Sequence, residues 1–201
     1  MSVKALRDSA RGAVKAAAVT ATAVVAASVL TAGTAAAADK ELTFEGEFPI
    51  IGIQTVKVVV HVDIPANVTL GGPLDVPFTL DVNGGDAAAD GLRLVGATKI
   101  SGEIRSAARI TVSNGLSVPL AVRLPIPDTP VPAQGPLTFQ AKGGLKFTVP
   151  RGVPTGETKV NVEPKATSHI VTDSDLGEFD LNLVLAPPTQ DTLLGTTQIV
   201  G

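Results

Sequence analysis

No cysteine, tryptophan or tyrosine occurs among the 201 residues, and methionine occurs once. Without cysteine there is no disulfide, no thiolate metal site, no thiol nucleophile and no lipid-modified anchor, so packing alone must hold the fold. Without Trp or Tyr, the ring-stacking platforms of sugar-binding sandwiches and of single-strand nucleic-acid binders are missing. Only six phenylalanines supply aromatic rings. Basic charge is short as well. Four of the 16 Lys/Arg and one of the 19 Asp/Glu precede residue 39, leaving 12 against 18 in the remainder. An acidic chain without stacking residues is not expected to bind nucleic acid. There is no Gly-x-Ser-x-Gly nucleophile elbow and no His-Glu-x-x-His zinc motif.

What is present begins with a leader. Lys4, Arg7, Arg11 and Lys15 form a basic segment, Ala16–Leu30 is apolar, and small residues follow through Ala38. Basic, apolar and small in that order is the pattern of a cleaved secretory signal over 1–38, with Ala35-Ala36-Ala37 and Ala36-Ala37-Ala38 both acceptable cleavage sites. No adjacent arginine pair marks a twin-arginine signal, which favours the general secretory route. No second apolar run follows, so no transmembrane segment is expected after its removal. The expected location is secreted, extracellular or associated with the bacterial cell envelope.

The clearest local signal is Ile104–Leu124, two alternating runs around Ser113-Asn114-Gly115. Parity decides the turn. A two-residue loop would put the apolar stripes on opposite faces; a three-residue loop pairs Val112 with Leu116, Ile110 with Val118 and Ile104 with Leu124. That register places Arg105 opposite Arg123 and Arg109 opposite Pro119, and the proline argues for an edge strand. Alternation also predicts strands at Glu41–Phe48, Gln54–Ile64 and Leu74–Val82. Shorter ones are expected near Val95–Ile100, Leu137–Ala141, Leu145–Val149, Lys159–Glu163, Ala166–Thr172 and Phe179–Leu185. Asp86–Gly91 reads as one helical turn with Asp86 as N-cap and Gly91 as stop.

The class is therefore all-β, an immunoglobulin-like β-sandwich over 39–188, enlarged or built of two related halves. The halves would be 39–124 and 137–188, joined by the proline-rich 125–136, with a tail at 189–201. A faint repeat supports this: Val62-Asp63-Ile64-Pro65 with Gly72-Pro73-Leu74, and Val122-Arg123-Leu124-Pro125 with Gly135-Pro136-Leu137.

Phe48-Pro49-Ile50-Ile51-Gly52-Ile53-Gln54-Thr55-Val56, continuing to Ile64-Pro65, resembles the opening of a family of secreted actinobacterial proteins with a β-rich domain of unknown function. Gly91-Leu92-Arg93-Leu94-Val95-Gly96-Ala97 resembles its middle, and the likeness spans most of 41–185. Relatives often carry a cysteine two residues before the Phe-Pro, where this chain has Gly46. The resemblance implies a fold and a location, not an activity.

Candidate chemistry is sparse. His61 and Asp63 share a strand face with no third partner identifiable, and His169 with Asp173 and Asp175 nearby reads as an ordinary loop. Asp81-Val82-Asn83-Gly84-Gly85-Asp86 looks like a calcium loop one residue out of register and without the closing glutamate. No cofactor and no metal is expected. Arg105, Arg109 and Arg123 share the outer face of the hairpin and are the candidate ligand-binding residues, for an anionic envelope polymer or an acidic protein. The reading is a non-enzymatic structural or interaction module. The alternative class is a small secreted hydrolase or metal-dependent enzyme using His61 or His169.

Overall fold

The computed structural model describes residues 36–201, with side chains from Asp39 onward. The expected leader at 1–38 lies outside the described residues, apart from the backbone of 36–38. The described elements run β1 (Ala36–Phe48), β2 (Gly52–Ile64), β3 (Asn67–Thr69), β4 (Pro73–Gly84), α1 (Gly85–Leu94), β5 (Lys99–Thr111) and β6 (Ser117–Pro130). They continue with β7 (Leu137–Thr148), β8 (Gly156–Val162), β9 (Lys165–Thr172), β10 (Glu178–Leu185) and β11 (Leu193–Val200). The protein is all-β. The ladders join all eleven strands into one open sheet, ordered β3-β11-β8-β5-β9-β10-β1-β2-β4-β7, with β6 on the other edge of β5. They do not draw the two separate sheets expected of an immunoglobulin-like sandwich.

The hairpin has the expected register. Ile104 faces Leu124, Arg105 faces Arg123 and Arg109 faces Pro119. Val112 N–H donates to Leu116 O at 3.0 Å, and Gly115 takes φ +85°, the left-handed residue of a three-residue loop. The tip differs from the expected buried face: Leu116 is 59% and Val118 45% exposed, because the hairpin projects past the core.

Strand β6 has no ladder partner besides β5. With 112/116 a hydrogen-bonded pair, Pro119 and Pro125 fall at the alternate pairs, so their missing N–H groups point to the outer edge. Pro127 and Pro130 continue the same strand. The proline-rich segment expected as a linker at 125–136 is thus largely strand. Strand β7 returns against that edge: a Cβ at Gly143 would lie 2.7 Å from the Arg123 carbonyl oxygen. The sheet curls until its edges touch, and the prolines deny the seam a ladder.

Other boundaries moved for nonlocal reasons. The expected halves are interleaved, since β1 pairs with β10 and β4 with β7. Both Gly-Pro-Leu segments do open strands, β4 and β7, and these pair with each other. The expected tail at 189–201 holds β11, antiparallel to β8 and parallel to β3. The expected one-turn helix is α1, ten residues long, capped by Gly84 rather than Asp86. It stops in a Schellman motif, with Ala97 N–H to Leu92 O at 2.9 Å, Gly96 N–H to Arg93 O at 3.0 Å, and Gly96 at φ +74°.

The inward face of the sheet carries Leu42, Phe44, Val56, Val58, Val60, Phe78, Ile104 and Leu183, all buried, and α1 adds Ala88, Ala89 and Leu92. The center of the ladder is β5, which pairs β6 along one edge. Its other edge is shared: Ile100–Arg105 with β9 and Ala108–Thr111 with β8. Gly102 is what lets β9 so near. It lies at a register shift in the β5–β6 ladder with φ +145°, and a Cβ there would sit 1.9 Å from the His169 carbonyl oxygen. Gly102→Ala is expected to destabilise the protein by about 3 kcal/mol, combining a backbone conformation closed to side chains with a clash against β9. Urea denaturation checks this; a loss within about 0.5 kcal/mol, the range of ordinary surface changes, contradicts it.

Candidate functional site

The curled sheet does not fill its interior. A cavity of about 120 Å³ remains, walled by α1 and by every described strand except β3. Its lining is apolar apart from Ser106 and Ser168, and contains no ionisable side chain. Five of the six phenylalanines line it: Phe44 and Phe48 from β1, Phe78 from β4, Phe139 from β7 and Phe179 from β10. By the measured cost of unfilled core volume, roughly 24 cal/mol per Å3, a void of this size costs about 3 kcal/mol. Such a void is comparable to the ~150 Å³ apolar cavity known to admit benzene.

The cavity reaches the surface at the β1–β2 turn, because its lining includes Ile50, which is 62% exposed. That turn is strained. Ile51 N–H donates to Pro49 O at 2.8 Å, a three-residue γ-turn, and Ile50 at its center has φ +73°. A β-branched residue in that region is a genuine outlier. The turn seats on the helix, where a Cβ at Gly91 would lie 3.0 Å from the Ile51 side chain. Across the opening the β9–β10 turn contributes Leu176. Asp173 fixes that turn to the start of β5: its carboxylate accepts from the Thr98 hydroxyl, Thr98 N–H (2.8 Å) and Lys99 N–H (3.0 Å). These bonds, the Thr98 hydroxyl first, hold Asp173 down at about 2.

The residues singled out from sequence lie elsewhere. Arg105, Arg109 and Arg123 are on the outer face, and each meets a carboxylate. Arg105 Nε donates to Glu103 at 2.6 Å, Arg123 lies 3.7 Å from the same Glu103, and Arg109 lies 2.7 Å from Glu163. The bond from Arg105 holds Glu103 below the usual carboxylate range. Glu103 relieves the Arg105–Arg123 opposition that the register creates.

Both histidines take carboxylate partners from neighbouring strands, not from the aspartates near them in sequence. His61 Nδ1 is 2.6 Å from Asp39 and Nε2 is 2.9 Å from Asp81. Those bonds, Asp39 first, raise its pKa; Asp81 is lowered by its bonds to Gln140 and then His61. His169 Nδ1 is 2.8 Å from Asp180 and Nε2 3.6 Å from Glu178. The calcium-like segment is the β4–α1 junction, where Asn83 Oδ1 accepts Gly85 N–H at 2.9 Å. Among the described residues, no group of three or more His, Asp or Glu is arranged to hold a metal ion. No described helix is long and apolar enough to cross a membrane.

The cavity was the feature hardest to read in advance. Phe48-Pro49-Ile50-Ile51 stood out as a corner, but the phenylalanines gathered around it come from four strands far apart in the chain. Residues 43–195 match the model of a family of unknown function, DUF6801. The chain belongs to that family. The matched span contains the β1–β2 turn, α1 and the whole cavity lining except Leu42. No curated protein and no solved structure matches the chain.

Two outcomes follow from the geometry. Replacing Ile50 with glycine relieves the positive φ at the cost of a looser unfolded chain, for a net gain of about 1 kcal/mol in chemical denaturation; a loss of stability contradicts the strain. For His61, whose folded pKa is raised, the stabilisation is full below the ordinary 6.5 and is lost as pH rises through the folded value. For Asp81, whose folded pKa is lowered, it is present above 3.8 and is lost as pH falls through the folded value. The Tm difference between wild type and His61→Gln should therefore peak between pH 3.8 and 6.5. A difference that widens steadily toward alkaline pH contradicts the assignment.

Proposed function

We propose that the protein is a secreted, non-enzymatic binding module of the cell envelope whose binding seat is the apolar cavity. The observation that carries this reading is the cavity's wall: about 120 Å³ lined without a single ionisable side chain and reaching the surface at a strained, exposed isoleucine. A convergent apolar pocket is the default seat for a ligand, and local strain concentrates at functional sites. The leader pattern at 1–38 supports export. Against the enzyme alternative, the ring nitrogens of His61 are both committed to carboxylates, on an outer face away from the cavity. The outer arginines are a weaker seat for an anionic polymer or acidic protein, because Glu103 and Glu163 already meet them.

The test is to fill the cavity. Ala108 lines it and is 2% exposed. Ala108→Leu is expected to raise stability by about 1 kcal/mol by filling void, and to weaken binding of a neutral apolar fluorophore such as N-phenyl-1-naphthylamine at least tenfold. A folded variant that binds the fluorophore as well as wild type overturns the reading.

A further inference from the structure

One residue of the cavity wall is out of keeping with its neighbours. Alternation turns Ala166, Ser168 and Ile170 of β9 inward, and all three line the cavity. Ser168 is 4% exposed and stands between buried aliphatic residues, opposite Ile104 on β5 and Leu181 on β10. Buried hydroxyls ordinarily find a partner. Thr129 donates to Pro127 O at 2.9 Å and Thr197 to Pro65 O at 2.6 Å. Thr158 has none, but it lies outside the cavity lining. Ser106, the other hydroxyl of the wall, already reaches Lys165 O at 3.4 Å. Among the described residues, Ser168 is the buried hydroxyl that lines the void and makes no side-chain hydrogen bond. A serine hydroxyl can donate one hydrogen bond and accept two; left unmade in an apolar wall they cost stability, and a ligand oxygen that makes one offsets that cost. The same wall rejects charge. With no ionisable side chain to pair with, an ammonium or carboxylate drawn into it would lose its water without compensation.

We propose that Ser168 is the polar anchor of the cavity, and that the ligand is a neutral, mainly apolar molecule, or the end of one, whose hydroxyl or carbonyl oxygen bonds to the Ser168 hydroxyl. This rests on the cavity being the binding seat and adds the chemistry of what it selects. The hydrocarbon wall supplies most of the affinity, and Ser168 supplies the orientation and the selectivity. A buried group that hydrogen-bonds a ligand's oxygen discriminates against the analogue lacking it more sharply than apolar fit does, because the group is then left unpaired.

Phenol and toluene, which carry a hydroxyl and a methyl on the same ring, test it by calorimetric titration of the purified protein at neutral pH, where phenol is uncharged. Both should bind the wild type. Ser168→Ala should weaken phenol about fivefold or more while leaving toluene within about twofold, the size of effect expected from one hydrogen bond. The same variant should keep its Tm, since the hydroxyl removed has no partner in the fold. Ser106→Ala, whose hydroxyl already has a carbonyl, should leave the phenol-to-toluene ratio within about twofold of wild type. A ratio unmoved by Ser168→Ala, or moved equally by Ser106→Ala, overturns the anchor while leaving the cavity as the seat. Equal weakening of both ligands, or a Tm lowered by several degrees, makes Ser168 a part of the packing and also overturns the anchor. If neither ligand binds the wild type, the cavity reading fails, and the anchor fails with it.

Discussion

Strand β5 is the branch point on which the sheet is built, because its two edges are used by three partners. One edge is taken by β6 for its full length; the other is divided between β9 and β8. A strand can serve two partners on one edge only where they meet end to end, and the Glu163-Pro164 turn between β8 and β9 makes that junction. Glu163 N–H donates to Ala107 O at 3.0 Å, at the point on β5 between the two ladders. Arg109 closes over the same turn through Glu163. From β5 the sheet then runs through β9, β10, β1, β2 and β4 to β7, and β7 arrives back at β6. The prolines on the edge of β6 stop the ladder from closing there. A fully laddered barrel would be held at fixed width by hydrogen bonds; here the seam is held by side chains and by the close approach at Gly143.

That arrangement explains why the interior is loose where it is. Inward positions on the strands alternate, so each strand supplies a large side chain at every second residue, and the strands of a curled sheet cannot all interdigitate at the center. The chain has few bulky residues to spend, with six phenylalanines and no Trp or Tyr. Five of the six are placed around the void and still do not fill it. Deeper packing was open to this sequence at Ala108 and Ala166, where small residues stand in the wall. Small side chains at wall positions leave the void unfilled, and the strain at Ile50 lies beside its opening.

Legibility followed the range of the interactions. The β5–β6 hairpin could be read to the residue because a glycine-bearing loop and two alternating runs are local chemistry; only one parity buries both stripes. Strand β2 was readable for the same reason, with Val56, Val58, Val60, Val62 and Ile64 all buried on one face. The proline-rich stretch misled, because prolines exclude a central strand but not an edge strand, and which edge is unpartnered depends on where β7 lies. Strand β11 was missed because Leu193–Val200 has weak alternation and is fixed by β8 and β3, partners separated from it by 31 residues or more. The histidines show the same limit. Their nearest aspartates in sequence were the wrong ones, since cross-strand neighbours such as Asp39 and Asp81 come from β1 and β4.

The charge pattern of the outer surface bears on which seat a ligand would choose. On the hairpin face, three arginines meet Glu103 and Glu163, so a polyanion would have to displace ion pairs that already exist, and the gain from each exchanged contact is small at exposed positions. At the mouth of the cavity the balance is different. Burial of apolar surface gives about 25 cal/mol per Å², independent of salt, and no ion pair has to be displaced first. Glu47 and Phe48 in β1, and Glu178 and Phe179 in β10, are each an exposed acid next in the chain to a wall residue. Alternation along a strand, which turns successive side chains to opposite faces, accounts for the separation of acid from wall in β1 and β10. The same period-2 geometry that builds the core therefore also keeps these charges out of its wall.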